Sequence, residues 1–401
     1  MNVLFMTIAY PNADNQNIYS DLMREFERNG HKVYVACTNE KRNSQKTRLT
    51  NESGINILRV RTGNLTGSVN LIEKGFTTLT LEYVIRRAIN KYFKSIKFDL
   101  IIYSTPPITF GRSVNFFKKR DNATTYLLLK DIFPQNAIDI GLIKKSSIIY
   151  KYFRSKEKNL YNLSDYIGCM SDANVNYIIN KNPSLKTDRI EVCPNTIEPL
   201  NIKKSVDDGI NIRMKYGIPK DKVIFIYGGN LGRPQGIDFL IECLSKNEKN
   251  DKAFIVIVGS GTEYEKLKNH FNKMQLQNSK LFEHIPKTDY ESLVSTCDVG
   301  LIFLDHRFTI PNFPSRILSY MQASIPILAF TDKCTDIGKV IEDGKFGLWA
   351  ESGDIQAFQD SISLLCSDSK LREIMGKNAK SYLEEYYTVK QSYEIIIKHF
   401  L

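Results

Sequence analysis

Short runs of consecutive apolar residues alternate along this chain with longer stretches of helical periodicity. In the first half, Asn2–Ile8, Lys32–Ala36, Ile55–Val60, Leu100–Tyr103, Thr124–Leu129, Tyr166–Met170 and Ile190–Cys193 read as strands buried on both faces. Helical patterns fall between them at Tyr19–Asn29, Leu71–Ile96, Gly111–Lys119 and Ile148–Leu163. The second half repeats the scheme, with strands at Val223–Tyr227, Ala253–Val258, Lys280–Phe282, Val299–Phe303 and Ile327–Phe330, and one long helix at Ser369–Leu401. Strands that alternate with helices predict parallel sheets covered on both faces. The expected architecture is α/β, two doubly wound Rossmann-like domains facing a central cleft. Residues 1–195 form the first domain, 196–208 a Pro- and Asn-containing linker and 209–384 the second. The C-terminal helix 385–401 is expected to pack back on the first. Ligands of such sheets bind outside the carboxyl ends of the strands, so the cleft is the expected site.

Length agrees with this division, since 401 residues exceed what one hydrophobic core usually holds. No apolar run reaches the roughly 18–20 residues of a membrane span. The N-terminus enters a strand pattern directly, with no basic leader, and the seven cysteines are scattered without a C-x-x-C pair. Both features point to reduced thiols in a cytoplasmic protein. Charge changes the picture more. Residues 1–200 carry 29 Lys and Arg against 18 Asp and Glu, whereas residues 201–401 carry 26 of each. A generally Lys-rich composition would make both halves basic. The asymmetry suits an anionic membrane surface or a nucleic acid, and no motif that reads RNA or DNA accompanies it.

The most informative stretch is Tyr227-Gly228-Gly229-Asn230-Leu231-Gly232-Arg233-Pro234-Gln235-Gly236, between a buried strand and the amphipathic helix Ile237–Leu244. A glycine-rich turn there aims backbone N–H groups and a helix start at one point, which suits a phosphate. A second strand-to-glycine turn, Ile255–Gly261, follows about 30 residues on. After the first strand, the loop Tyr10–Asn17 contains no glycine, which disfavours a dinucleotide cofactor there. The chain has no Asp-x-Asp, no H-x-x-x-H, no G-x-S-x-G and no P-loop, so metal-dependent, hydrolase and kinase readings lose their usual support. Lys130-Asp131 ends one strand and suits sugar hydroxyls or proton transfer, or else a structural pair. Ser104-Thr105-Pro106-Pro107 ends another in the same way. Phe313-Pro314-Ser315-Arg316, with Ser319, opens a helix where N–H groups and a guanidinium could hold a diphosphate. Leu71–Lys97 and Tyr150–Arg154 mix apolar residues with cations, as a membrane-interface helix does and as a half-buried helix with solvated lysines also does.

These motifs resemble glycosyltransferase family 4, retaining enzymes of the GT-B fold. The likeness extends over Ser104–Pro107, Lys130–Pro134, Cys193-Pro194-Asn195, Gly229–Gly236, Gly259–Gly261 and Phe313–Pro326. Within the family it is similar to the bacterial capsule and O-antigen branch, especially N-acetyl-L-fucosaminyltransferases. The resemblance implies a UDP-sugar donor, a polyprenyl-diphosphate-linked saccharide acceptor, an anionic membrane surface as partner, no nucleic acid, no metal and no cofactor. It places the enzyme at the cytoplasmic face of the membrane. It assigns the donor to Gly229, Asn230, Arg233, Gln235, Gly259, Gly261, His284, Ile285, Phe313, Pro314, Ser315, Arg316 and Ser319, and catalytic or sugar contacts to Asp131 and Lys130. The family's cations of the glycine turn correspond to Asn230 and Gln235 here, its two glutamates to Pro311 and Ser319, and its N-domain histidine to Lys130. Arg233 and Arg316 are then the cations left for the diphosphate. A UDP-N-acetylhexosamine 2-epimerase of the same fold is the alternative, and it would act without an acceptor.

Overall fold

The computed structural model describes residues 1–12, 15–65, 67, 69–200 and 206–400. The chain divides into two units, Met1–Glu198 with Thr388–Leu401, and Pro199–Tyr387. In the first, strands β1 (Asn2–Met6), β2 (Lys32–Glu40), β3 (Arg48–Glu52), β4 (Ile55–Thr62), β5 (Leu100–Ser104), β6 (Thr124–Leu129), β7 (Tyr166–Cys169) and β8 (Ile190–Val192) form one sheet. Its order is β3-β4-β2-β1-β5-β6-β7-β8, parallel except for β3 against β4. In the second unit, β9 (Val223–Gly228), β10 (Ala253–Val258), β11 (Ser279–Phe282), β12 (Val299–Phe303), β13 (Ile327–Thr331) and β14 (Gly347–Glu351) run in the order β11-β10-β9-β12-β13-β14, all parallel. Strand order reverses at β1/β5 in one sheet and at β9/β12 in the other, and each reversal opens a crevice at the carboxyl ends.

The apolar runs became strands because both their faces are covered. Val3 to Met6, Leu100 to Tyr103 and Leu301 to Phe303 are all fully buried. In the second unit Phe303 and Phe330 stack with ring centroids 5.4 Å apart, within a cluster that includes Phe225, Tyr227 and Phe239.

Four differences from the sequence expectations have local causes. β3 is an exposed edge strand of sequence Arg-Leu-Thr-Asn-Glu, too polar to show as an apolar run. It is set by the hairpin turn Ser53-Gly54, both with positive φ, the geometry of a two-residue hairpin. β14 was unexpected as well, and it extends the second sheet beside β13. The single helix expected over Ser369–Leu401 is two, Ser369–Tyr386 and Val389–Ile397. Thr388 ends the first by capping the second, its own N–H donating to Gln391 Oε1 at 2.8 Å. The break coincides with the return of the chain to the first unit, where Val389 N donates to Ile197 O at 3.0 Å. Of the expected linker 196–208, residues 201–205 lie outside the described residues, and helix Val206–Lys215 begins within it.

Candidate functional site

In the second unit, the turn after β9 is bound to the turn after β10. Gly229 N donates to Val258 O at 2.9 Å and Leu231 N to Ser260 O at 2.8 Å, so the ladder continues past the strand ends. This corrects the expectation that the Gly229 amide points at a phosphate, because that N–H is spent on the sheet. The glycines serve close approach instead. A Cβ on Gly259 would sit 1.9 Å from Gly229 O, and one on Gly261 would sit 2.4 Å from Leu231 O. Arg233–Gln235 then form a short 3-10 turn, and Gly236, at φ +57°, starts helix Ile237–Asn247.

Arg316 is the charged centre of this arrangement. It lies on the first turn of helix Arg316–Gln322, beyond β12, and its guanidinium returns across the switch point to β9. Its Cζ sits 4.3 Å from the centroid of the Tyr227 ring, and its Nη2 donates to Gln235 Oε1 at 2.7 Å. A Cβ on Gly229 would lie 3.3 Å from Nη2. The buried Nη1 has no hydrogen-bond partner among the described residues. Nothing here cancels the charge, since a ring face and an amide oxygen hold a cation without neutralising it. Three tyrosines shape the surroundings. Tyr227 Oη donates to Asn230 O at 2.7 Å, and Tyr320 Oη receives the Gly228 N–H at 3.2 Å. Burial raises the pKa of the Tyr227 and Tyr320 phenols and pushes that of Tyr290 up to about 12, against the opposing pull of Arg316.

The other predicted donor residues are placed less centrally. Arg233 is exposed and paired with Glu263 Oε1 at 3.3 Å, so its charge is already answered. Ser319 Oγ turns back to Arg316 O at 2.8 Å. Phe313 is buried, 6.1 Å from the Tyr387 ring, whereas Ser315 is exposed and Pro314 intermediate. His284 is exposed and Ile285 buried on the turn after β11, two strands from β9. The sequence reading missed the tyrosines. Tyr227 at the end of a strand was the one visible signal, and Tyr290 and Tyr320 carried none.

In the first unit, β5 and β6 end beside one another. Thr105 Oγ1 accepts from Lys130 N at 3.0 Å and donates to Asp131 O at 3.2 Å, fixing the backbone of both predicted residues. Their side chains form no ion pair with each other. Lys130 Nζ donates to Cys193 O at 3.1 Å, and burial lowers its pKa. Asp131 Oδ1 accepts from Asn136 Nδ2 at 2.7 Å. Loss of water, only partly offset by hydrogen bonds from Ile132 and Asn136, pushes its carboxyl up to about 6. Tyr19 and Ser104 adjoin the same carboxyl ends. The loop Tyr10–Asn17 is held by Arg59, whose Nη atoms donate to Tyr10 O at 3.1 Å and Pro11 O at 2.8 Å. Residues 13 and 14 of that loop lie outside the described residues.

Comparison with known proteins accords with this geometry. Residues 208–382 match the family Glycosyl transferases group 1. The chain is 27% identical over 293 residues to a Pseudomonas aeruginosa protein carrying the name glycosyltransferase WbjE, covering 72% of this chain and 71% of that one. It is 21% identical over 251 residues to an Escherichia coli protein whose name links it to colanic acid biosynthesis, WcaI, covering 61% and 60%. The solved structure of Anabaena Alr3699/HepE in complex with UDP-glucose superposes with a TM-score of 0.70 at 15% identity, over 100% of this chain and 99% of that one. The two doubly wound α/β units are thus those of the GT-B fold.

Proposed function

We propose that the chain is a glycosyltransferase of group 1 that moves a hexosamine-type sugar from a UDP donor to a polyprenyl-diphosphate-linked saccharide. N-acetyl-L-fucosamine is the sugar assigned by the resemblance to the capsule and O-antigen branch, and the colanic acid relative supports a polysaccharide setting. The observation that carries the donor assignment is the Arg316 guanidinium at the β9/β12 reversal, which has no carboxylate partner and one buried N–H without a hydrogen-bond partner among the described residues. A uridine diphosphate placed there supplies the missing acceptor and charge. As the sugar departs, negative charge grows on the β-phosphate oxygen, and a fixed guanidinium stabilises it without reorganising. In this reading no metal is required. Gln235 and Tyr227 act through Arg316 by holding its orientation. The N-terminal unit takes the acceptor, and Asp131, near neutral pH at its transition, serves as sugar contact or weak base. Configuration is retained, and the anionic leaflet carrying the acceptor faces the basic unit.

The test is incubation with a panel of UDP-hexosamines, with and without a polyprenyl-diphosphate-linked oligosaccharide. UDP released only with acceptor, together with a lengthened lipid-linked product of retained anomeric configuration, is the expected result. Isomerisation of a lone UDP-hexosamine, or turnover only with a non-uridine donor, would contradict it.

A further inference from the structure

Helix Leu71–Tyr92 carries two apolar stripes, and the protein covers one of them. Leu81, Ile85 and Ile89 are at most 1% exposed. Phe76, Leu79 and Tyr83, spaced three and four apart on another face, are 70%, 60% and 56% exposed. Arg86 continues that ridge, with its Cζ 6.0 Å from the Tyr83 ring and 5.6 Å from the Phe116 ring. There the ridge meets an open hollow of about 620 Å³ lined by Arg86, Arg112, Asn115, Phe116, Lys119 and Arg120. No carboxylate lines it. Arg120 is answered by Asp121 at 2.7 Å, and the nearby Glu82 carboxylate is spent on the backbone N–H groups of Arg112 and Ser113. Arg86, Arg112 and Lys119 have no ion-pair partner among the described residues.

An acidic peptide or a nucleic acid would answer the three cations and leave the ridge in water. An anionic leaflet answers both, since its interface accepts Phe, Leu and Tyr while its phosphates sit at the level of the cations. We propose that this hollow binds the phosphate of an anionic phospholipid headgroup, with Phe76, Leu79 and Tyr83 inserted beside it. The inference rests on the reading that the enzyme works on a lipid-linked acceptor, and it names where the chain meets the lipid surface.

Co-sedimentation of the full chain with vesicles tests it, using phosphatidylcholine alone and phosphatidylcholine containing phosphatidylglycerol. Binding is expected only to the second, and it should weaken as salt rises. Each cation near such a surface is worth about fivefold. Arg86→Gln, Arg112→Gln and Lys119→Gln together should therefore lower binding about 100-fold while leaving the thermal melt in place. Phe76→Ser with Leu79→Ser should lower binding at least about tenfold while keeping every charge. Equal binding to both vesicle types, no binding to either, or unchanged binding by both variants overturns the proposal. So does loss by the triple variant of affinity for a single-stranded RNA that the wild type prefers to vesicles. UDP titration of the same samples separates this from the donor assignment: vesicle binding without UDP binding sinks only the donor site, and the reverse sinks only the headgroup site.

Discussion

A guanidinium held by an amide oxygen and an aromatic face keeps its full charge, which distinguishes Arg316 from Arg233 and its carboxylate partner Glu263. Arg316→Gln is expected to lower kcat by about 10²–10³, with Arg316→Lys recovering only part because the forked contact is lost. Steady-state kinetics at saturating acceptor would check this, and a kcat within a few-fold of wild type would remove Arg316 from the chemistry. Asp131 makes a different demand. Its folded-state pKa is raised from 3.8 to about 6, so the favourable protonated form is fully present below about pH 4 and lost as pH climbs through 6. Asp131→Asn should therefore stabilise the protein at pH 7.5 relative to wild type and confer less advantage at pH 4.5, read as the difference in Tm. If Asp131 also takes a proton, wild-type kcat/KM falls below an inflection near pH 6 and the variant lacks that limb. Of these residues, the sequence made Arg316, Lys130 and Asp131 visible as charges at strand or helix ends. It could not show that Gln235 stands behind Arg316, because that contact joins positions 81 residues apart.

Elements were most legible where burial was two-sided. β6, β10 and β12 fall on apolar runs whose limits the sequence shows almost to the residue, because a strand covered on both faces has no polar alternation to blur it. β3 was hidden by its polar edge position, although Ser53-Gly54 was a usable hairpin signal. The break at Tyr387 was readable too, since Thr388-Val389-Lys390-Gln391 is a capping box that tyrosines and isoleucines on either side disguised as continuous helix. Thr388→Ala should cost about 1 kcal/mol in chemical denaturation. A loss no larger than that of a surface substitution would mean that the cap is not what divides the helices. At the glycine turns, the close approach of two strand-end backbones occupies the Gly229 and Leu231 N–H groups that the sequence had aimed at a phosphate. Gly259→Val should push the turn after β9 outward, and its expected signature is a donor KM raised more than kcat is lowered.

For the whole molecule, the doubly wound plan followed from the alternation of runs, whereas the positions of the polar side chains had to wait for tertiary structure. The charge asymmetry becomes specific once Arg86, Arg112 and Lys119 are seen around one hollow. The most direct test of the donor assignment is calorimetric titration of UDP and of uridine into the wild type and Arg316→Gln. A charge-assisted contact to a diphosphate is worth about 1.5–3 kcal/mol, so the variant should lose about 10–100-fold in UDP affinity and keep its uridine affinity within about twofold. Equal affinity of the wild type for UDP and uridine, or an unchanged UDP affinity in Arg316→Gln, would contradict it.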